Sequence, residues 1–282
     1  MIATTWRYCR PSTLDAALDA WEDEQERGGK PAWYGGGTEV VTDARRFIKE
    51  PTAVIDIKEI PELRVLGRQD GMLWMGAALT LYELGAANLW PLLTETVGRI
   101  ADHTGRVHIT LGGNLAGRIA YREAGLPLLV WAEEARVRVA GPGGLRTVPL
   151  LDVFDGTPHL EHGELFTAVG VPEWVATRPG RAVKRTRLDW VDYPLVAAAL
   201  TRDREGRYRL ALSGVTAEPF RARRLEAALN RPGHSIQDRV KEAVAALPHS
   251  VVDDLHGTPA YRRFVLGYTL QDMLEDLEEN GR

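Results

Sequence analysis

The sequence predicts an α+β protein with a larger N-terminal region and a smaller C-terminal domain. Three observations carry this. Strand-length apolar runs alternate with helical patterns through the first half of the chain. Two extended runs around Gly141-Pro142-Gly143-Gly144 read as a β-hairpin. Composition then shifts between Pro172 and Pro179, and the remainder reads as extended runs followed by helices. A length of 282 residues suits two or three compact units of roughly 100–200 residues each.

Taken in order, Trp6-Arg7-Tyr8 is a short extended run. Ser12 is expected to cap a helix, with Asp15 three residues on and Leu14, Ala17, Leu18 and Trp21 at helical spacing. The charged stretch Glu22 to Lys30, with Gly28-Gly29, ends it, and Pro31 to Tyr34 leads into a first glycine-rich stretch. Ala53 to Ile57 and Met72 to Gly76 read as strands, with a turn closed by Pro61 between them. Thr80-Leu81-Tyr82-Glu83 is a capping box opening a helix. A further helix spans about Trp90 to Ala101, before a second glycine-rich stretch. Leu126 to Ala132 is apolar, and the hairpin pairs Arg136–Val139 with Leu145–Val148. From Arg181 onward, Ala197–Leu200 and Tyr208–Ser213 are extended. Leu225–Leu229, Ile236–Leu247 and Pro259–Leu277 are helical.

Hydrophobic residues at 44% and charged residues at 26% suit a soluble chain with a substantial core. A net charge of −4 argues against a general nucleic-acid binder, which presents a basic face. No apolar run approaches the roughly 20 residues of a membrane span. The start, Met1 to Arg7, lacks a leader's apolar core, so a cytoplasmic location is the default expectation. Cys9, the only cysteine, can form no internal disulfide and is expected to be a small buried hydrophobe. An iron–sulfur cluster needs about four thiolates, so redox chemistry here requires an organic cofactor.

The informative stretches are Tyr34-Gly35-Gly36-Gly37-Thr38-Glu39 and Thr110-Leu111-Gly112-Gly113-Asn114, each read as a loop joining strands. Glycine lets backbone N–H groups turn toward an anion and lets a ligand approach the main chain. Neither stretch is a Rossmann or P-loop fingerprint. Two of them, each ending in hydrogen-bonding side chains, imply a nucleotide or another phosphorylated cofactor held from both sides. The glycines of the 141–144 turn are read as structural.

The residues around these stretches resemble one family. Gly36-Gly37-Thr38-Glu39, Val54 to Leu63, Met75-Gly76-Ala77-Ala78-Leu79-Thr80 and Thr110 to Leu115 look like the FAD-binding (medium) subunit of molybdenum hydroxylases. That family includes the flavoproteins of carbon monoxide dehydrogenase and xanthine dehydrogenase. The likeness continues in order through Gly163-Glu164-Leu165-Phe166, Val215 to Ala222 and Tyr261-Arg262-Arg263, nearly the whole chain. It implies a PCMH-type fold of the vanillyl-alcohol-oxidase and MurB-like kind, made of two α/β subdomains plus a small α+β C-terminal domain. The implied boundaries are 1–176 for the FAD-binding domain, with subdomains of about 1–57 and 58–176, and 177–282 for the C-terminal domain.

The resemblance also implies site residues. Trp33, Tyr34, Gly35, Gly36, Gly37, Thr38, Glu39 and Val40 would wrap the FAD pyrophosphate. Thr110, Leu111, Gly112, Gly113 and Asn114 would meet it from the other side. Glu123 stands where the family places an aspartate on the cofactor's polar part, and the segment Gly117 to Ala120 departs from the family pattern. Phe166 matches an apolar contact, and Tyr193 a side chain covering one face of the isoalloxazine ring. Lys184 matches a lysine near the flavin; its alternative, beside Arg185 and Arg187, is a solvated basic edge. His108 is the one position suited to covalent attachment, but the family holds FAD non-covalently, so it reads as an ordinary polar residue. His159 and His162 lack a third metal ligand at suitable spacing.

The implied function is electron transfer within a molybdenum hydroxylase. The partners would be a large molybdenum-cofactor subunit and a small [2Fe-2S] subunit, with NAD or a quinone as acceptor. No catalytic proton-transfer dyad is evident. Two other readings stay open at this point: a free-standing flavin oxidoreductase, and a non-catalytic assembly protein whose FAD site has decayed.

Overall fold

The structure is a computed structural model that describes residues 5–188, 191–248 and 250–279. Residues 1–4, where the stretch read for a leader begins, lie outside them. The first layer is a three-stranded parallel sheet, in the order β1 (Arg7–Cys9), β3 (Ala53–Asp56), β2 (Pro31–Tyr34). Helix α1 (Leu14–Glu26) crosses from β1 to β2, and α2 (Thr38–Arg45) follows β2 directly. The cap of α1 is Thr13, not Ser12: Thr13 is extended and its hydroxyl accepts the Ala16 N–H at 3.2 Å. β3 is buried along its whole length, which its central position requires. Cys9 is half-buried, because β1 is an edge strand whose Arg7 and Tyr8 face solvent.

The second layer is an antiparallel sheet ordered β4 (Leu66–Gln69), β5 (Met72–Gly76), β8 (Leu165–Pro172), β6 (Arg136–Gly141), β7 (Gly144–Pro149). Gly141 pairs with Gly144, leaving Pro142-Gly143 as the two-residue turn of the expected hairpin. Between β5 and β6 run α3 (Leu81–Ala87), α4 (Pro91–Gly98), α5 (His103–Arg106), α6 (Leu111–Ala116) and α7 (Leu126–Val130). The Thr80–Glu83 capping box forms with both of its halves. The second glycine-rich stretch is not a loop between strands: residues 111–116 are the helix α6, capped by Thr110 through the Gly113 N–H at 3.1 Å. The first stretch likewise ends in a helix, α2, rather than leading to a strand.

After α8 (Glu173–Ala176) come β9 (Gly180–Thr186), β10 (Pro194–Arg202), β11 (Tyr208–Ser213) and β12 (Phe220–Arg221), a four-stranded antiparallel sheet. Then follow α9 (Arg223–Leu229), α10 (Ile236–Ala245) and α11 (Pro259–Glu279). β10 alternates cleanly. Val196, Ala198 and Leu200 face the core shared with α9, α10 and α11, whereas Ala197 and Ala199 face the core of the second layer. Small side chains on that face let the sheet sit close against α4 and α7. Arg262 of α11 is fully buried and donates to the carbonyls of Leu195 (2.9 Å), Gly214 (2.5 Å) and Gly257 (3.2 Å), fixing the helix to the sheet.

Candidate functional site

The two glycine-rich stretches, 75 residues apart, touch. A Cβ on Gly36 would overlap the His108 carbonyl oxygen, and one on Gly35 would stand 2.8 Å from the Thr110 hydroxyl. Gly37 has φ of +73°, a left-handed conformation in which a larger side chain would also strike the Tyr34 ring. On the far side, Gly112 sits against Ala77, where a Cβ would be 2.8 Å from the Ala77 Cβ. Hydrogen bonds from Leu111 N–H to Leu79 (2.8 Å) and Gly112 N–H to Ala77 (2.8 Å) hold that wall in place. His108 therefore contributes its backbone to the junction.

The electrostatics at the junction favour an anion. The first three N–H groups of a helix lack intrahelical acceptors, and α2 begins with a glycine cap that has no side chain to satisfy them. The N–H groups of Thr38, Glu39 and Val40 thus have no acceptor among the described residues. α6 differs, since Thr110 caps it. Lys58 fixes the entry to the first stretch: its ammonium donates to the Gly35 carbonyl (3.2 Å) and to Asp56 (2.7 Å), and lies 4.5 Å over the Tyr34 ring. Burial pushes the Asp56 carboxyl up, but hydrogen bonds from Lys58 and Tyr8 outweigh it and hold it below the usual range.

These elements frame a cavity of about 1550 Å³, above the roughly 300–1,000 Å³ of a typical small-ligand site. Trp33, Gly35, Gly36, Gly37, Thr38, Glu39, Val40, Thr110, Gly112, Gly113, Asn114, Glu123, Phe166, Lys184 and Tyr193 all line it. Two expected residues do not. Leu111 is in the hydrophobic core, and Tyr34 lies beneath the glycine stretch against Lys58. Trp33 stacks on Trp21 with centroids 4.5 Å apart, and its buried indole N–H has no acceptor among the described residues. Tyr193 stacks on Tyr121 with centroids 4.7 Å apart, nearly parallel. Lys184 is no solvated edge: its side chain is buried and pairs with Glu123 at 3.3 Å.

Several polar residues are turned to the chain itself. Glu39 accepts the N–H groups of Arg118 (2.6 Å) and Ile119 (3.3 Å). Asn114 accepts the Ala124 N–H at 3.0 Å. Together with others not anticipated from the sequence, they anchor the unusual 117–123 segment. Arg118 grips Asp43 with two bonds, of 2.8 and 3.1 Å, and this guanidinium holds the Asp43 carboxyl below the usual carboxylate range. Arg122, at φ of +33°, donates to the Gly117 carbonyl at 2.9 Å and pairs with Glu218. The Ser213 hydroxyl donates to the Tyr121 carbonyl at 2.6 Å. His159 pairs with Asp155 and His162 packs edge-on to Trp21. No group of three or more His, Cys, Asp or Glu side chains among the described residues is placed to hold a metal. No helix among them is long and apolar enough to cross a membrane.

Comparison with known proteins adds four findings. The family model for the FAD binding domain in molybdopterin dehydrogenase matches residues 4–174. The carbon monoxide dehydrogenase medium chain of Hydrogenophaga pseudoflava is 27% identical over 290 residues, covering 97% of each chain. Among solved structures, carbon monoxide dehydrogenase from the same organism superposes with a TM-score of 0.83 over 98% of each chain, at 27% identity. Quinoline 2-oxidoreductase from Pseudomonas putida 86 shares the fold, with a TM-score of 0.85 over 99% of each chain at 22% identity.

Proposed function

Since the chain belongs to the family of FAD-binding domains of molybdopterin dehydrogenases, we propose that it is the flavin-carrying, electron-transfer subunit of a molybdenum hydroxylase. FAD is the cofactor of this family, and a cavity of about 1550 Å³ leaves room for it. The observation that carries the reading is the uncapped first turn of α2, whose free N–H groups open on a glycine stretch seated against Thr110. Helix N-termini of this kind satisfy diphosphate oxygens without a cation.

Residues 33–40 would hold the diphosphate from one side, with Thr110, Gly112, Gly113 and Asn114 opposite. Leu111 and Tyr34 would support these walls from behind. Lys58 engages the Gly35 carbonyl, which would leave amides rather than this carbonyl to face the ligand. Tyr193, backed by Tyr121, would cover one face of the ring, and Phe166 would close an apolar side. Lys184 would lie near the flavin, with Glu123 beside it through their ion pair. Glu39 and the Asp43–Arg118 pair would act indirectly, by holding the 117–119 flank. Bound FAD supplies one- and two-electron chemistry, and the protein supplies orientation and a desolvated setting.

One cysteine cannot hold an iron–sulfur cluster, so in this reading the clusters that feed the flavin lie outside these 282 residues. The partners proposed are a molybdenum-cofactor large subunit and a [2Fe-2S] small subunit, with NAD or a quinone as acceptor. The domain division proposed is 1–176 and 177–282, supported by a core built from residues 196–277 alone. The test is the absorption spectrum of the purified chain with and without added FAD. The expected result is a stoichiometric flavin that is released on denaturation. A colourless chain that binds no FAD would sink the reading in favour of an assembly role, and substrate turnover by the chain alone would replace it with a free-standing enzyme.

A further inference from the structure

One buried ion pair in the cavity wall is not needed to build the glycine cradle. Lys184 of β9 and Glu123 lie 3.3 Å apart, with side chains only 6% and 8% exposed. This contact is looser than the roughly 2.7–2.9 Å of a tight charge-assisted bond. Neither side chain has another hydrogen-bond partner among the described residues. An ammonium carries three donors, so Lys184 keeps two open. Both residues line the large cavity. Both also border a second space of about 10 Å³, the size of a single water, lined by Thr96 of α4 and by Arg99 just after it. Arg99 spans from that void to the surface. Its Nε is buried without an acceptor among the described residues, while its outer end donates to Glu95 at 2.9 Å. A line of exchangeable groups thus runs from the cavity through Glu123 and Lys184, past a water-sized space, to solvent.

The surroundings leave the Glu123 carboxyl free to titrate. Lys184 faces it from β9, Arg99 just after α4 borders the same small space, and β10 borders it with Ala197 and Ala198. On its own segment, Arg122 turns away to Glu218, and Asn114 of α6 is committed to the Ala124 N–H. Burial pushes the carboxyl up to about 7, with Lys184 opposing the rise.

We propose that Glu123 and Lys184, with the water-sized void beside them, form a proton relay between solvent and the flavin of the FAD cavity. The proposal rests on the FAD reading above. Two electrons supplied by the iron–sulfur subunit enter the flavin, and the one proton taken up with them comes from the Glu123 carboxyl. Lys184 compensates the carboxylate left behind, and solvent reprotonates Glu123 through the void. Reoxidation passes the two electrons and that proton to an acceptor such as NAD, so one solvent proton enters per turnover.

The experiment compares the purified, flavin-loaded protein with its Glu123→Gln and Glu123→Asp variants, measuring the flavin midpoint potential from about pH 5 to about pH 9. The wild type should show a change of slope near neutrality, absent in Glu123→Gln and restored at a shifted pH in Glu123→Asp. Proton uptake on rapid reduction, followed with an indicator dye, should slow by about a hundredfold in Glu123→Gln. An unchanged slope and uptake rate with FAD still bound would overturn the relay. Carbon-13 carboxyl NMR of the flavin-free chain decides the matter if a variant loses FAD. Glu123 titrating near neutrality supports the relay, and titration in the ordinary carboxylate range overturns it. Absence of flavin from the wild type would instead count against the parent reading.

Discussion

At the scale of single residues, the site depends on atoms that are missing as much as on those present. Gly36 has no room for a methyl group, because the His108 carbonyl occupies its place. Gly36→Ala should push the two glycine stretches apart, costing about 1–3 kcal/mol of stability and abolishing flavin retention. Urea unfolding and flavin fluorescence in the filtrate would measure the two effects separately. Glu123 makes the opposite kind of demand, since it is a carboxyl deprived of water. Its pKa rises from 4.5 to about 7 on folding, through burial and against the pull of Lys184. Below about pH 4.5 it is protonated folded or unfolded, and its contribution to stability is whole. Between about 4.5 and 7 only the unfolded chain releases the proton, so stability falls as pH rises, by up to about 3 kcal/mol. Asp43, held low by Arg118, has the reverse sign and loses its contribution as pH falls. Denaturation midpoints at pH 5 and pH 8 should therefore differ less in Glu123→Gln than in the wild type.

At the scale of elements, the C-terminal sheet and its longest helix are tied at their buried centre by Arg262, while Arg181 and Arg185 of β9 pair with Asp276 and Asp272 at the surface. Arg262 satisfies carbonyls of three separate segments and pairs with Asp254 at 2.6 Å. Arg262→Met should keep the volume but orphan those acceptors, costing about 3–5 kcal/mol in chemical denaturation. The same scale shows what a reader of the sequence can and cannot find. β3, β5, β10 and β11 were legible because strands buried on both faces are continuous apolar runs. β4, with the sequence Leu66-Gly67-Arg68-Gln69, is a largely exposed edge strand and carries no such signal. α2 and α6 were hidden because glycine at a cap or in a first turn lowers helix propensity, and here neighbouring segments supply what propensity lacks. The cradle was legible in the site because backbone approach demands glycine. Its supports were not. Asp43 and Arg118 are 75 residues apart and Arg122 and Glu218 are 96, and nothing local pairs such residues.

At the scale of the whole molecule, the cavity draws on all three sheets: Trp33 belongs to β2 of one, Phe166 to β8 of another, and Lys184 to β9 of the third. A ligand that binds only the folded chain stabilises it by about 2.7 kcal/mol at a hundredfold excess over Kd. Added FAD should therefore raise the melting temperature of flavin-free protein by several degrees in a fluorescence melt, whereas free phosphate should not. The meeting of Gly36 with the His108 carbonyl has a consequence in time. The two halves of the cradle do not meet until a loop of some seventy residues has closed, and closures of that length come late in folding. Yellow colour is then a clock for the chain's assembly. A refolding molecule should show its helices first and take on colour last, so the cofactor certifies a finished fold rather than seeding it.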